Sequence, residues 1–123
     1  MPLGVMSSTV MVVDDEPMIR KLVTSALSTS GYKVVDAETP QQAMKMMDSH
    51  PGLDLLLTDV VMPEVGGWEL AEQMRQKRPE LKVLFMSGFE PVADRTSPEN
   101  TSFLQKPFRI TELLDRVRQL LRP

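Results

Sequence analysis

The sequence predicts an α/β fold in which a parallel sheet carries helices on both faces. Three observations point to it. Short apolar or β-branched runs alternate with segments whose apolar residues recur at helical spacing. The run at 53–58 is apolar at nearly every position, as a strand covered on both faces should be. The first, third, fourth and fifth runs end on, or just before, a carboxylate, a hydroxyl or an ammonium. Ligand sites in open α/β sheets lie beyond the carboxyl ends of the strands.

The elements follow in order. Residues 9–13 form the first strand. Ile19, Leu22, Val23, Ala26 and Leu27 then recur at helical spacing, and Gly31 stops that helix. Residues 32–35 form a second strand. Thr39-Pro40-Gln41-Gln42 opens a second helix: Thr39 caps, Pro40 suits the first turn, and Gln42 completes a capping box. Ala43, Met44 and Met47 supply its inner stripe. The third strand spans 53–58. A turn around Pro63, Gly66 and Gly67 leads to a third helix with Leu70, Ala71 and Met74 inward. Strands at 81–86 and 102–105 follow. The last helix carries Ile110, Leu113, Leu114, Val117, Leu120 and Leu121, the clearest helical period in the chain. Pro91 and Pro98 interrupt the segment between the last two strands, so a fourth helix around 92–95 should be short or irregular. No internal repeat is visible.

Composition narrows the function. The 123 residues suit one domain, with an extension at 1–8 and the folded unit at 9–121. Net charge is −3, from 14 basic and 17 acidic residues, which gives no footprint for direct nucleic-acid binding. No apolar stretch approaches a membrane span, no basic run favours an anionic membrane, and residues 1–8 lack the features of a signal peptide. A cytoplasmic address follows by elimination. There are no cysteines, which excludes disulfides, thiolate catalysis and Cys-based zinc sites. The ten methionines suit core filling better than metal binding.

Taken singly, the chemical residues have plain structural uses. Asp14 and Asp15 suit the start of a helix, where the dipole favours acids. Asp59 suits a strand-end turn, Ser87 a loop, and Lys106 a surface. His50 sits at a helix end beside Pro51-Gly52 and is assigned no catalytic role. The joint pattern says more. An acidic pair, a lone acid, a hydroxyl and a lysine close strands one, three, four and five. Magnesium takes one or two carboxylates, keeps several waters and accepts phosphate oxygens. A cation also relieves repulsion among crowded carboxylates. A carboxylate nucleophile toward phosphorus needs such help, from metal and ammonium.

Val12-Val13-Asp14-Asp15-Glu16, Asp59-Val60-Val61-Met62-Pro63 with Gly66-Gly67, Met86-Ser87-Gly88 and Phe103-Leu104-Gln105-Lys106-Pro107-Phe108 together resemble the receiver domains of two-component response regulators. The resemblance spans roughly 9–121. It implies a flavodoxin-like three-layer sandwich with five strands in the order 2-1-3-4-5. It implies Asp59 as phospho-acceptor, Asp15 and Asp59 as direct Mg2+ ligands, Asp14 acting through water, and the Val61 carbonyl completing the set. Ser87 would be the switch hydroxyl, Lys106 the partner of the phosphoryl group, and Phe103 the aromatic switch residue. The Lys106–Pro107 bond would be cis. The phosphoryl group would come from phosphohistidine on a sensor histidine kinase or a histidine phosphotransfer protein.

Two features depart from the family pattern. The reduced fourth helix weakens the face that family members often use for output or dimerisation. Val61 and Phe89, two positions past Asp59 and Ser87, are apolar where the family tunes loss of the phosphoryl group. The domain is expected to assist its own phosphorylation and dephosphorylation rather than act as an enzyme on other substrates. Two rivals stand beside it. A haloacid-dehalogenase-like phosphatase needs a second acid two residues after the nucleophile, where this chain has Val61. A pseudo-receiver scaffold would have no need of the retained acids, Ser87 and Lys106. The Ser87-Gly88-Phe89 run resembles receivers attached to hybrid sensor kinases, so either a stand-alone regulator or part of a longer kinase fits.

Overall fold

The computed structural model describes residues 8–62, 65–88 and 100–122. Within them the chain runs β1 (Thr9–Val13), α1 (Pro17–Thr29), β2 (Lys33–Ala37), α2 (Pro40–Ser49), β3 (Leu53–Asp59), α3 (Gly67–Lys77), β4 (Lys82–Ser87), β5 (Thr101–Gln105) and α4 (Ile110–Leu121). The segment around 92–95, where a reduced helix was expected, lies outside the described residues.

The five strands are all parallel, in the order β2-β1-β3-β4-β5. The order reverses between β1 and β3, so the crevice of an open α/β sheet opens beyond their carboxyl ends. The central strands are buried on both faces. Alternation along them feeds two cores. Met11, Val13, Leu56, Val83 and Phe85 face α2 and α3, meeting Ala43, Met47, Leu70, Ala71 and Met74. Val10, Val12, Leu55, Leu57, Leu84 and Met86 face α1 and α4, meeting Val23, Leu27, Leu113 and Val117. This is the flavodoxin-like three-layer sandwich expected from the sequence. Met47 and Met74 are buried in it, as filler should be.

Local chemistry fixes the end of α1 and the start of α2. Gly31 sits at φ 99°, and the Tyr32 and Gly31 N–H groups donate to the Leu27 and Ser28 carbonyls. That left-handed residue closes α1 in a Schellman motif, a conformation that costs glycine nothing extra. At the start of α2, Thr39 Oγ1 accepts from the Gln42 N–H as predicted. The reciprocal bond differs: Gln42 Oε1 accepts from the Glu38 N–H, one residue before the cap. The β2 strand also begins and ends later than the sequence suggested, at 33–37. Pairing with β1 decides this, since Thr9–Val13 matches Lys33–Ala37 residue for residue. Leu22 is half exposed rather than inward, because Val23 and Leu27 already fill the α1 stripe. The Lys106–Pro107 bond is cis.

Candidate functional site

The switch-point crevice gathers residues from four strand ends. Asp14 follows β1 and is fully buried. Its Oδ1 accepts from the Glu16 N–H at 2.8 Å. Asp15, next in the chain, points outward and is exposed. Asp59 is the last residue of β3 and 7% exposed. Its Oδ1 accepts from the Val61 N–H at 3.2 Å, which orients the carboxylate toward the crevice mouth. Carboxylate oxygens of Asp14, Asp15 and Asp59 lie within 4.8 Å of one another. Val61 itself is 58% exposed at the lip.

Ser87 ends β4 and is nearly buried. Its carbonyl accepts from the Lys106 N–H at 2.7 Å, which ties the two strand ends together. Lys106 then projects across the sheet. Its Nζ stands 3.0 Å from Asp59 Oδ2, 3.4 Å from Asp14 Oδ2 and 3.4 Å from Glu16 Oε1. All the expected site residues that lie within the described set are therefore brought to one crevice, except that Phe103 and Pro107 stand at its β5 edge. Phe89 lies outside the described residues.

Electrostatics follow from this crowding. Burial pushes the Asp14 carboxyl above its usual range; the Glu16 N–H and Lys106 oppose that shift, and the charge of Asp59 adds to it. Burial alone would lower Lys106. The hydrogen bond to Asp59 and the charges of Asp14 and Asp59 outweigh burial, so its ammonium is held above the usual range. One ammonium thus faces several carboxylates, and an all-oxygen donor set of this size suits a hard divalent cation.

Two structural residues decide the geometry. Gly67 opens α3 directly against β3: a Cβ there would lie 2.1 Å from the Asp59 carbonyl oxygen. The Gly67 N–H also donates to the Val60 carbonyl at 2.9 Å. Arg20 on α1 donates to the Asp14 carbonyl at 2.8 Å and pairs with Asp36 at 3.2 Å, fixing the β1–α1 turn to the end of β2. Behind Ser87, the Phe103 ring stacks on Phe85 with centroids 5.7 Å apart and lies 5.8 Å from Trp68. Sequence reasoning missed Glu16 as a site residue, naming it only within the Val12-Val13-Asp14-Asp15-Glu16 run. It also missed Arg20 and Trp68, for which only the helical spacing from the Asp14–Glu16 and Gly66–Gly67 motifs offered a signal. His50 caps α2 through Nδ1 and the Met46 carbonyl at 2.8 Å, well apart from the site.

Comparison with known proteins agrees with the geometry. The family described as response regulator receiver domain matches residues 10–118. The response regulator receiver protein CpdR of Brucella abortus is 33% identical over 115 residues, covering 91% of this chain and 95% of that protein. The sensor kinase CckA of the same species is 35% identical over 119 residues; the chain covers 13% of that kinase. Among solved structures, the receiver domain of the hybrid histidine kinase CckA superposes with a TM-score of 0.82 at 30% identity, over 94% of this chain and all (100%) of that one. A fold, a crevice and relatives that all agree lead to one statement: the chain belongs to the response regulator receiver domains of two-component signalling.

Proposed function

We propose that Asp59 is the phospho-acceptor of this receiver domain and that the crevice assists both gain and loss of the phosphoryl group. The observation that carries the proposal is Lys106 Nζ at 3.0 Å from a nearly buried Asp59 carboxylate, beside two further acids from the end of β1. Receiver domains work with sensor histidine kinases or histidine phosphotransfer proteins, and we take such a phosphohistidine as the donor here. The domain boundaries we assign are 9–121, with 1–8 as an extension, and we place the domain in the cytoplasm.

Asp14, Asp15 and Asp59, with the Val61 carbonyl, would hold Mg2+, Asp14 through water. When bound, that ion would neutralise charge on the transferring oxygens. The chain's own residues do the rest. An Asp59 oxygen attacks phosphorus as the phosphorus–nitrogen bond to the donor imidazole breaks, and the electron pair leaves with that nitrogen. Lys106 offsets charge on the phosphoryl oxygens, and Ser87 donates its hydroxyl to one of them. Positioning and charge neutralisation supply most of the acceleration.

The new group then biases the surface. Moving a two-state surface from 1:99 to 99:1 needs about 5.5 kcal/mol of differential stabilisation. Charge-assisted hydrogen bonds from Ser87 and Lys106 contribute toward that. Phe103 starts from a packed position against Phe85 and Trp68. Its further turn behind Ser87 therefore gives up aromatic contact of about 1 kcal/mol. The retained acids and Lys106, with the family match, do not favour a phosphatase or an inert scaffold. The test is incubation with a small phosphodonor and magnesium, followed by intact mass. A mass gain that is lost in Asp59→Asn is expected. No gain with any donor would refute the assignment, as would an undiminished gain in Asp59→Asn.

A further inference from the structure

Glu16 stands at the N-cap position of α1, yet its side chain makes no capping bond. It reaches across the crevice to Lys106, 90 residues further along the chain. An ammonium offers three N–H donors. Here each meets a different carboxylate: Asp59 at 3.0 Å, Asp14 at 3.4 Å and Glu16 at 3.4 Å. The three acceptors differ in what the reaction does to them. An oxygen of Asp59 is taken up when it bonds to phosphorus. Asp14 belongs to the acid cluster, where a bound cation would compete with the ammonium for its oxygens. Glu16 stands outside that cluster and away from the reacting bond. It is the partner that persists throughout.

We propose that Glu16 is a positioning residue: its carboxylate holds the Lys106 ammonium over Asp59, ready to meet the incoming phosphoryl oxygens. The geometry is a closed ring. The Glu16 N–H orients Asp14 Oδ1, Asp14 Oδ2 faces Lys106, and Lys106 returns to Glu16 Oε1. A lysine stem has four carbons and many rotamers, so an unanchored ammonium would spend much of its time elsewhere. Glu16 supplies the anchor on the solvent side, where its own side chain is 62% exposed.

This inference rests on the roles proposed for Asp59 and Lys106, so its test separates the two. Rates of mass gain with a small acyl phosphate and magnesium are measured on the full chain and on Glu16→Ala, Glu16→Gln, Lys106→Ala, the Glu16→Ala/Lys106→Ala double variant and Asp59→Asn. Glu16→Ala should lower the maximal rate by about three- to fivefold, the scale of a partly exposed ion pair, with donor half-saturation little changed. Glu16→Gln, whose amide oxygen still accepts from an ammonium, should keep most of the rate. In the Lys106→Ala background, Glu16→Ala should have no further effect. An undiminished effect in that background overturns the proposal. So does faster reaction in both Glu16 variants, the mark of a carboxylate that merely repels an anionic donor. A rate loss that only tracks a lower folded fraction in thermal melts also overturns it, since Glu16 begins a helix. If Lys106→Ala slows the reaction and Glu16→Ala does not, the proposal falls while the roles of Asp59 and Lys106 stand. If Asp59→Asn or Lys106→Ala reacts at the parent rate, the underlying assignment falls instead.

Discussion

Gly67→Ala should damage both stability and phosphorylation, and the structure sets the scale. The added Cβ would lie 2.1 Å from the Asp59 carbonyl oxygen, against a closest tolerable approach of 3.0 Å. Either α3 or the end of β3 must therefore retreat by 0.9 Å, the difference of those two distances. The atom in the way is backbone, so no side chain can swing aside. The helix cannot retreat freely either, because Leu70, Ala71 and Met74 are packed into the core one turn later. Forced overpacking of this kind costs about 1–3 kcal/mol. For a chain of this size that is a fall of roughly 4–15 °C in the melting midpoint. If β3 yields instead, Asp59 moves with it, and a displacement near 1 Å can slow a positioned reaction by about a hundredfold. Thermal melts and the intact-mass assay would be run together. Gly52→Ala is the control, since a Cβ there meets nothing within 4 Å. It should change stability by no more than about 0.5 kcal/mol. If Gly67→Ala melted with the parent chain and was phosphorylated at the parent rate, the close approach of α3 to Asp59 would be wrong.

Other outcomes follow from the same geometry. Arg78 donates from its guanidinium to the His50 and Met47 carbonyls at 2.8 and 2.7 Å, satisfying the open end of α2. Arg78→Met should cost about 1–2 kcal/mol in a denaturant titration; an unchanged midpoint would show those carbonyls well served by water. The raised pKa of Asp14 means that the metal-free folded chain binds that proton more tightly than the unfolded chain does. Its contribution to stability is therefore lost as pH rises from the ordinary carboxylate value through the raised one, and stays lost above it. Asp14→Asn should raise the melting midpoint of the metal-free chain at neutral pH and flatten this decline, while weakening magnesium binding in a titration; a lower midpoint would contradict the burial argument. Val61, 58% exposed at the lip, should accept asparagine without structural cost. Val61→Asn should shorten the lifetime of the phosphoryl group by orienting an attacking water, and an unchanged lifetime would remove Val61 from that role.

Much of this protein was legible from residues alone because its signals are local. Strand and helix periods are set by neighbours two to four positions apart, so five strands and four flanking helices could be placed within a few residues. Gly31 and Thr39 announced helix ends through chemistry confined to one turn. The errors arose where packing, strand pairing or the path of the chain decided. Pairing with β1 moved β2 along the chain, and the packed stripe of Val23 and Leu27 left Leu22 half exposed. Gln42 had two backbone N–H groups within reach, and only the path of the chain before Thr39 selected Glu38.

The site divides in the same way. The sequence by itself determined which groups end the strands: Asp14, Asp15, Asp59, Ser87 and Lys106, with the parallel fold that points strand ends one way. It could not determine how the charges pair. Lys106 meets Asp59, Asp14 and Glu16 across separations of 47, 92 and 90 residues, and no local rule selects among the acids. Nor could it show that α3 rests against Asp59 through a bare glycine, or that Glu16 leaves its helix cap for Lys106. Those choices belong to the tertiary structure, because electrostatic pairing and steric contact depend on distance in space, which the sheet order sets.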